Sequence, residues 1–109
     1  MKRNIKTLLH SMGVYQNYAG YRYFVAAVEL AAVEPARLTH MRQEIYFPVA
    51  EKFNVSIMQV ERDIRTIRDV VVRNGGIKLL EEISGEKFFL NEILYPREII
   101  EIVSHCIEQ

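Results

Sequence analysis

Met58, Arg62, Arg65, Thr66, Asp69 and Arg73, with Gln59 at their edge, offer side chains suited to the edges of nucleobases. Arginine pairs bidentately with guanine and glutamine with adenine, while threonine and methionine meet the methyl group of thymine. On a helix turning about 100° per residue these positions fall on one side, and Ile57, Val60, Ile64, Ile67 and Val71 recur on the other. The plainer reading is a solvated helix face. There Glu61 pairs with Arg65 and Asp69 with Arg73 at i, i+4, each pair worth a few tenths of a kcal/mol.

The segment in front of this helix favours base reading. Residues 48–73, PVAEKFNVSIMQVERDIRTIRDVVVR, read as a helix, a tight turn and a second helix. A helix-turn-helix holds its second helix in the DNA major groove in this way. Pro48 suits a first helical turn, where its missing N–H is not needed, and Ala50 lets two helices approach closely. Asn54 tolerates the left-handed conformation that ends a helix, and Ser56 sits where an N-cap oxygen is wanted, with Gln59 as a capping-box partner. Val49, Phe53, Val55, Val60 and Ile64 supply the apolar residues between the two helices.

The remaining elements form the platform. Periodicity and breakers place helices near 3–12, 17–33, 39–46, 48–53, 56–73, 77–84 and 96–108. The fold class is all-α: one domain over 1–109, a compact bundle of about six helices containing the helix-turn-helix. Ile5, Leu8, Leu9 and Met12 line the first helix, which Gly13 ends. Tyr21, Phe24, Val25, Val28 and Ala32 mark the second as the central post. Asn74-Gly75-Gly76 ends the reading helix, Lys87 to Leu90 is a candidate short strand, and Tyr95-Pro96 opens a last helix with Ile99, Ile102, Val103 and Cys106 inward.

Composition excludes several classes. At 109 residues and 50% hydrophobic, the chain buries one core and not two. No apolar run is long enough to span a bilayer and no cleavable signal opens the chain, so the expected location is cytoplasmic. Cys106 is the sole cysteine, in an apolar setting that suits a buried thiol. His10, His40 and His105 lack partners at metal-ligand spacing, and no phosphate loop or nucleophile motif is present. Neither an enzyme nor a cofactor is expected. Tyr15, Tyr18, Tyr21 and Tyr23 read as core packing before base stacking. Formal net charge is zero, yet residues 1–76 hold 11 Lys and Arg against 7 Asp and Glu, and residues 77–109 hold 3 against 7. The halves thus carry +4 and −4, a field that orients the chain on a polyanion.

HSMGVYQNYAGYRYFVAAVELA at 10–31, IYFPVAEKFNVS at 45–56 and QVERDIRTIRDVVVRNGG at 59–76 strongly resemble the C-terminal DNA-binding domain of the sporulation initiation response regulator family of Firmicutes. LYPREIIEIVSHC resembles the family's last helix. The resemblance implies a transcriptional regulator that binds a short asymmetric box in double-stranded DNA, often as tandem copies that suit a homodimer, and that contacts RNA polymerase sigma factors. It carries groove-facing roles onto Glu61, Arg62 and Arg65, with Gln59 and Thr66 beside them; the outward helix pattern adds Arg73. The family also has a receiver domain upstream, which this chain lacks, so it reads as an excised effector domain or a receiverless homologue.

The chain departs from the family pattern at Gln59 and Thr66, where Arg and His are usual, and at Asp63, which adds a negative charge near the boundary of the buried face. The loop NEILYP before the last helix is less basic than the family's. Two readings follow. One is a sequence-specific regulator with the acidic stretch 77–109, including Glu81, Glu82, Glu86 and Glu92, as a protein-contact surface. The alternative is an interaction protein that keeps the fold and binds a regulator or polymerase subunit in place of DNA.

Overall fold

A computed structural model describes residues 3–87 and 94–107. Its helices are α1 (Ile5–Ser11), α2 (Tyr21–Val33), α3 (Phe47–Phe53), α4 (Ile57–Arg73), α5 (Gly76–Ser84) and α6 (Pro96–His105). A 3-10 segment, Pro35–His40, and a π-helical segment, Arg42–Tyr46, link α2 to α3. The fold is all-α. Among the described residues the sole strand-like feature is a parallel bridge between Arg3 and Ile107, where the Arg3 N–H donates to the Cys106 carbonyl at 2.9 Å. Lys87 is in no strand, and the rest of the candidate strand, 88–90, lies outside the described residues, as do 91–93 of the NEILYP loop.

Asn4 starts α1: its side-chain oxygen accepts from the backbone N–H groups of Lys6 (2.9 Å) and Thr7 (3.3 Å), two donors that a helix start leaves without partners. α2 is the post around which the others stand, packing against α6, α4, α3 and the 3-10 segment. Phe24, Ala27, Val28 and Ala31 are wholly buried on it, and Tyr21 and Tyr23 nearly so. Tyr18 is half-buried, whereas Tyr15 is exposed and meets the His10 ring edge-on at 4.6 Å.

α2 begins at Tyr21, four residues later than periodicity suggests, directly after Gly20. A Cβ there would run into the backbone carbonyl of Asp63 on α4. The main chains at the start of α2 and on α4 therefore touch, and residues 16–20 approach that contact as turns and a bend, with the Tyr18 N–H on the Tyr15 carbonyl at 3.0 Å.

The single helix expected over 39–46 is replaced by the 3-10 and π segments, and the π segment runs without a break into α3. Proline chemistry accounts for the widened turn. Pro48 has no N–H to give to the carbonyl four residues back, Glu44, and a Glu44 carbonyl left dry would cost free energy. Arg37 takes the place of that donor, giving Nη1–H to the Glu44 carbonyl at 3.1 Å. Arg37→Ala should lower stability by about 1 kcal/mol, and Pro48→Ala, which restores an N–H donor, should recover part of it. Urea denaturation of the single and double variants tests this; an equal loss from Arg37→Ala in the parent chain and in the Pro48→Ala background would refute the link.

α6 follows Tyr95, whose N–H donates to Glu98 Oε1 at 2.9 Å. Ile99, Ile100, Val103 and Cys106 point into the core, while Ile102 is half-buried, so Ile100 takes the place expected of Ile102. At the end of α4, the Asn74 side-chain amide donates to the Met12 carbonyl at 3.2 Å and ties α4 to the end of α1.

Candidate nucleic-acid interface

The turn between α3 and α4 has the geometry its residues dictate. Asn54 is left-handed (φ 55, ψ 50), the Val55 N–H closes onto the Ala50 carbonyl at 3.0 Å, and Ser56 caps α4 by accepting the Gln59 N–H on Oγ at 3.0 Å. The capping box does not close. The Gln59 amide turns back and donates to the Tyr23 hydroxyl at 3.2 Å, which gives a buried phenol its partner and pins the start of α4 to α2.

α4 divides sharply. Val60, Ile64, Ile67, Val70 and Val71 are buried, whereas Met58, Arg62, Arg65, Thr66, Asp69, Val72 and Arg73 are exposed. Met58 stands 74% exposed, too much apolar surface to be part of the packing. Gln59 and Glu61 flank this face on opposite sides and are half-buried. Of the expected site residues, Arg62, Arg65, Thr66 and Arg73 thus share one open surface, and Gln59 and Glu61 border it.

The ion pairs expected for a solvated helix do not form. Glu61 reaches Arg42 of the π segment at 3.6 Å instead of Arg65, and Asp69 binds its neighbour Arg68 at 2.9 Å instead of Arg73. Among the described residues Arg65 and Arg73 have no ion-pair partner. Asp63 is a correction: it is buried, 8% exposed, and its carboxylate accepts from Arg62 Nε at 3.2 Å. It holds Arg62 through Nε and is therefore not a bare charge beside the open face.

Sequence reasoning did not find three supports: Arg42, Tyr23 and Tyr46. Each comes from a distant segment, and no local pattern marks it. Tyr46 sits half-buried near Glu61, Arg65 and Arg68, and its hydroxyl pKa is pushed up from 10.0 to about 12, by burial first and then by the Glu61 carboxylate. The sign follows from linkage: a phenol harder to ionise in the fold contributes stability in full below its unfolded value, and that contribution is lost as pH rises from 10 toward 12. The phenolate absorbance of Tyr46 should appear only near pH 12, and Tyr46→Phe should flatten stability across that window. A Tyr46 titrating at 10 would contradict this.

Among the described residues no three His, Cys, Asp or Glu side chains gather to hold a metal ion. Nor is any described helix long and apolar enough to cross a membrane. The model of the family described as sporulation initiation factor Spo0A, C terminal, matches residues 5–107. The chain belongs to that family. It is a DNA-binding domain of the sporulation-initiation regulator type, and the Spo0A C-terminal match takes in α1 through α6 with the helix-turn-helix at its centre. Membership in a family of transcription-factor domains also sets it apart from catalytic families.

Proposed function

We propose that α4 lies in the major groove of double-stranded DNA and reads a specific site, with Arg62 and Arg65 on guanine edges, Thr66 and Met58 on thymine methyls, and Arg73 on the phosphate backbone. One observation carries the reading: outward arginines on the second helix of a helix-turn-helix, two without an internal partner, in a chain of a DNA-binding family. A solvated face would spend those cations on Glu61 and Asp69, and it does not.

Glu61 and Gln59 act at the border. Glu61, neutralised by Arg42, stays beside the groove floor where it can accept from a cytosine amino group, and Arg42 supplies a positive charge toward the backbone. The single domain works in the cytoplasm, as tandem copies where sites are tandem, and the acidic side of α5, with Glu81 and Glu82, meets a sigma factor of RNA polymerase. A titration with salt tests the core of this. Binding to DNA carrying the family's box should exceed binding to a scrambled duplex, and log affinity should fall with log salt at a slope of about −0.9 for each phosphate neutralised. Equal affinity for both duplexes would return the chain to the interaction-protein reading.

A further inference from the structure

The outer side of α2 carries a feature that DNA reading does not use. Two depressions of about 420 and 260 Å3 lie along it and share Ala26, Glu29 and Lys52, so they form one groove between α2 and α3. Apolar side chains make much of its lining: Val25, Leu30 and Val33 from α2, and Pro48, Val49 and Phe53 from α3. Val33 is 82% exposed. Apolar surface of this kind, continuous with a concave lining, marks a binding surface more than a packing remnant.

The rim is cationic. Lys6, Arg22 and Lys52 border the larger depression and Arg37 the smaller, against a single carboxylate, Glu29. Among the described residues Lys6, Arg22 and Lys52 have no ion-pair partner. Arg22 and Lys52 are held over the Phe53 ring, at 4.9 and 5.5 Å from its centroid, which places two charges directly above apolar lining. From Arg22 to Val33 the groove follows α2 for roughly 16 Å, about three helical turns.

We propose that this groove docks an acidic amphipathic helix of a protein partner. Its apolar residues at i, i+3 or i+4, and i+7 would enter the depressions, and carboxylates on its flanks would meet Lys6, Arg22 and Lys52. A phosphate backbone would use the cations and leave the apolar lining in water. The chain's own acidic helix is a poor occupant: on α5, Leu80 is in the core and Ile77, Leu79 and Ile83 pack against it, which leaves no free apolar stripe to insert.

Two designed peptides test the proposal, both with leucine at i, i+3 and i+7, one flanked by glutamates and the other by lysines. Added to the isotope-labelled chain, the glutamate peptide should shift the amide resonances of Val25, Leu30, Val33 and Lys52, and the lysine peptide should not. The pair Arg22→Glu and Lys52→Glu should weaken the glutamate peptide at least about tenfold. Val33→Asp, at an exposed position that does not threaten the fold, should do likewise. DNA affinity should stay within about twofold in both cases. Equal response to the two peptides, no response, or shifts outside the groove would overturn the proposal. So would a large loss of DNA binding on reversing Arg22 and Lys52, which would assign these cations to the phosphate backbone, or self-association of the chain through this face.

Discussion

Arg65→Ala should weaken binding to the best DNA site by about 1–3 kcal/mol, roughly five- to 150-fold, without loss of stability. The side chain is exposed and has no ion-pair partner among the described residues, so its removal leaves no internal group stranded. Arg62→Ala should weaken binding to a similar degree, with a difference in kind. Arg62 is held by Asp63, so on the proposed reading it would enter the groove already oriented, and its loss would leave a buried carboxylate without its partner. The form of each loss identifies the contact. A base contact relaxes discrimination at one position, whereas a phosphate contact weakens all sequences alike and lowers the salt slope by about one. Unchanged affinity for the best site in both variants, with the fold intact, would remove the case for α4 as the reading helix.

These expectations rest on features legible in the chain to unequal degrees. The amphipathic division of α4 was fully legible, because a helix with a fixed angular period sorts its side chains by sequence position alone: Met58, Arg62, Arg65, Thr66, Asp69 and Arg73 are all exposed. Asn54 and Ser56 declared the turn through local chemistry, and both adopt the backbone that chemistry demands. The same angular reasoning put Asp63 at the boundary of the two faces but showed neither its burial nor its Arg62 partner. Asp63 sits at the edge of the apolar face, 8% exposed with its carboxylate on Arg62, and its backbone carbonyl meets Gly20 from a segment more than forty positions away. Gln59 likewise offered a capping box and took a tyrosine hydroxyl on α2 instead. The helix starting late at Tyr21, and the π turn before Pro48, depend on contacts between elements distant in sequence, and periodicity cannot register them.

The outward-facing set on α4 shows the same boundary between local and long-range information. Which residues point outward follows from the helix; which remain available depends on partners. Glu61 and Asp69 stand four residues from Arg65 and Arg73, the spacing that would cancel both cations on an isolated helix. Arg42 and Arg68 take the two carboxylates first. Arg42 is therefore a positioning residue for the open face although it lies outside the helix-turn-helix itself.

Gly20→Ala should cost about 3 kcal/mol, at the upper end for adding one methyl group to a packed site, because the atom it meets cannot turn away. That atom is a backbone carbonyl oxygen, of Asp63, with the Ile67 side chain close behind at 2.9 Å from the added carbon. Gly20 has an ordinary negative φ of −85, so backbone strain contributes nothing and the whole effect is steric. Gly85 provides the contrast: its φ is +77 and a Cβ there meets nothing within 4 Å. Gly85→Ala should therefore cost about 1 kcal/mol, from conformation alone. The position of α4 adds a second readout. If the α2–α4 contact sets how far the reading helix stands from the core, Gly20→Ala should weaken specific DNA binding under conditions where the variant is still folded, and Gly85→Ala should not. Denaturant midpoints and DNA affinity measured on the two variants separate the causes. Equal stability losses, or a Gly20→Ala chain that folds and binds DNA like the parent, would show that the two backbones have room to part.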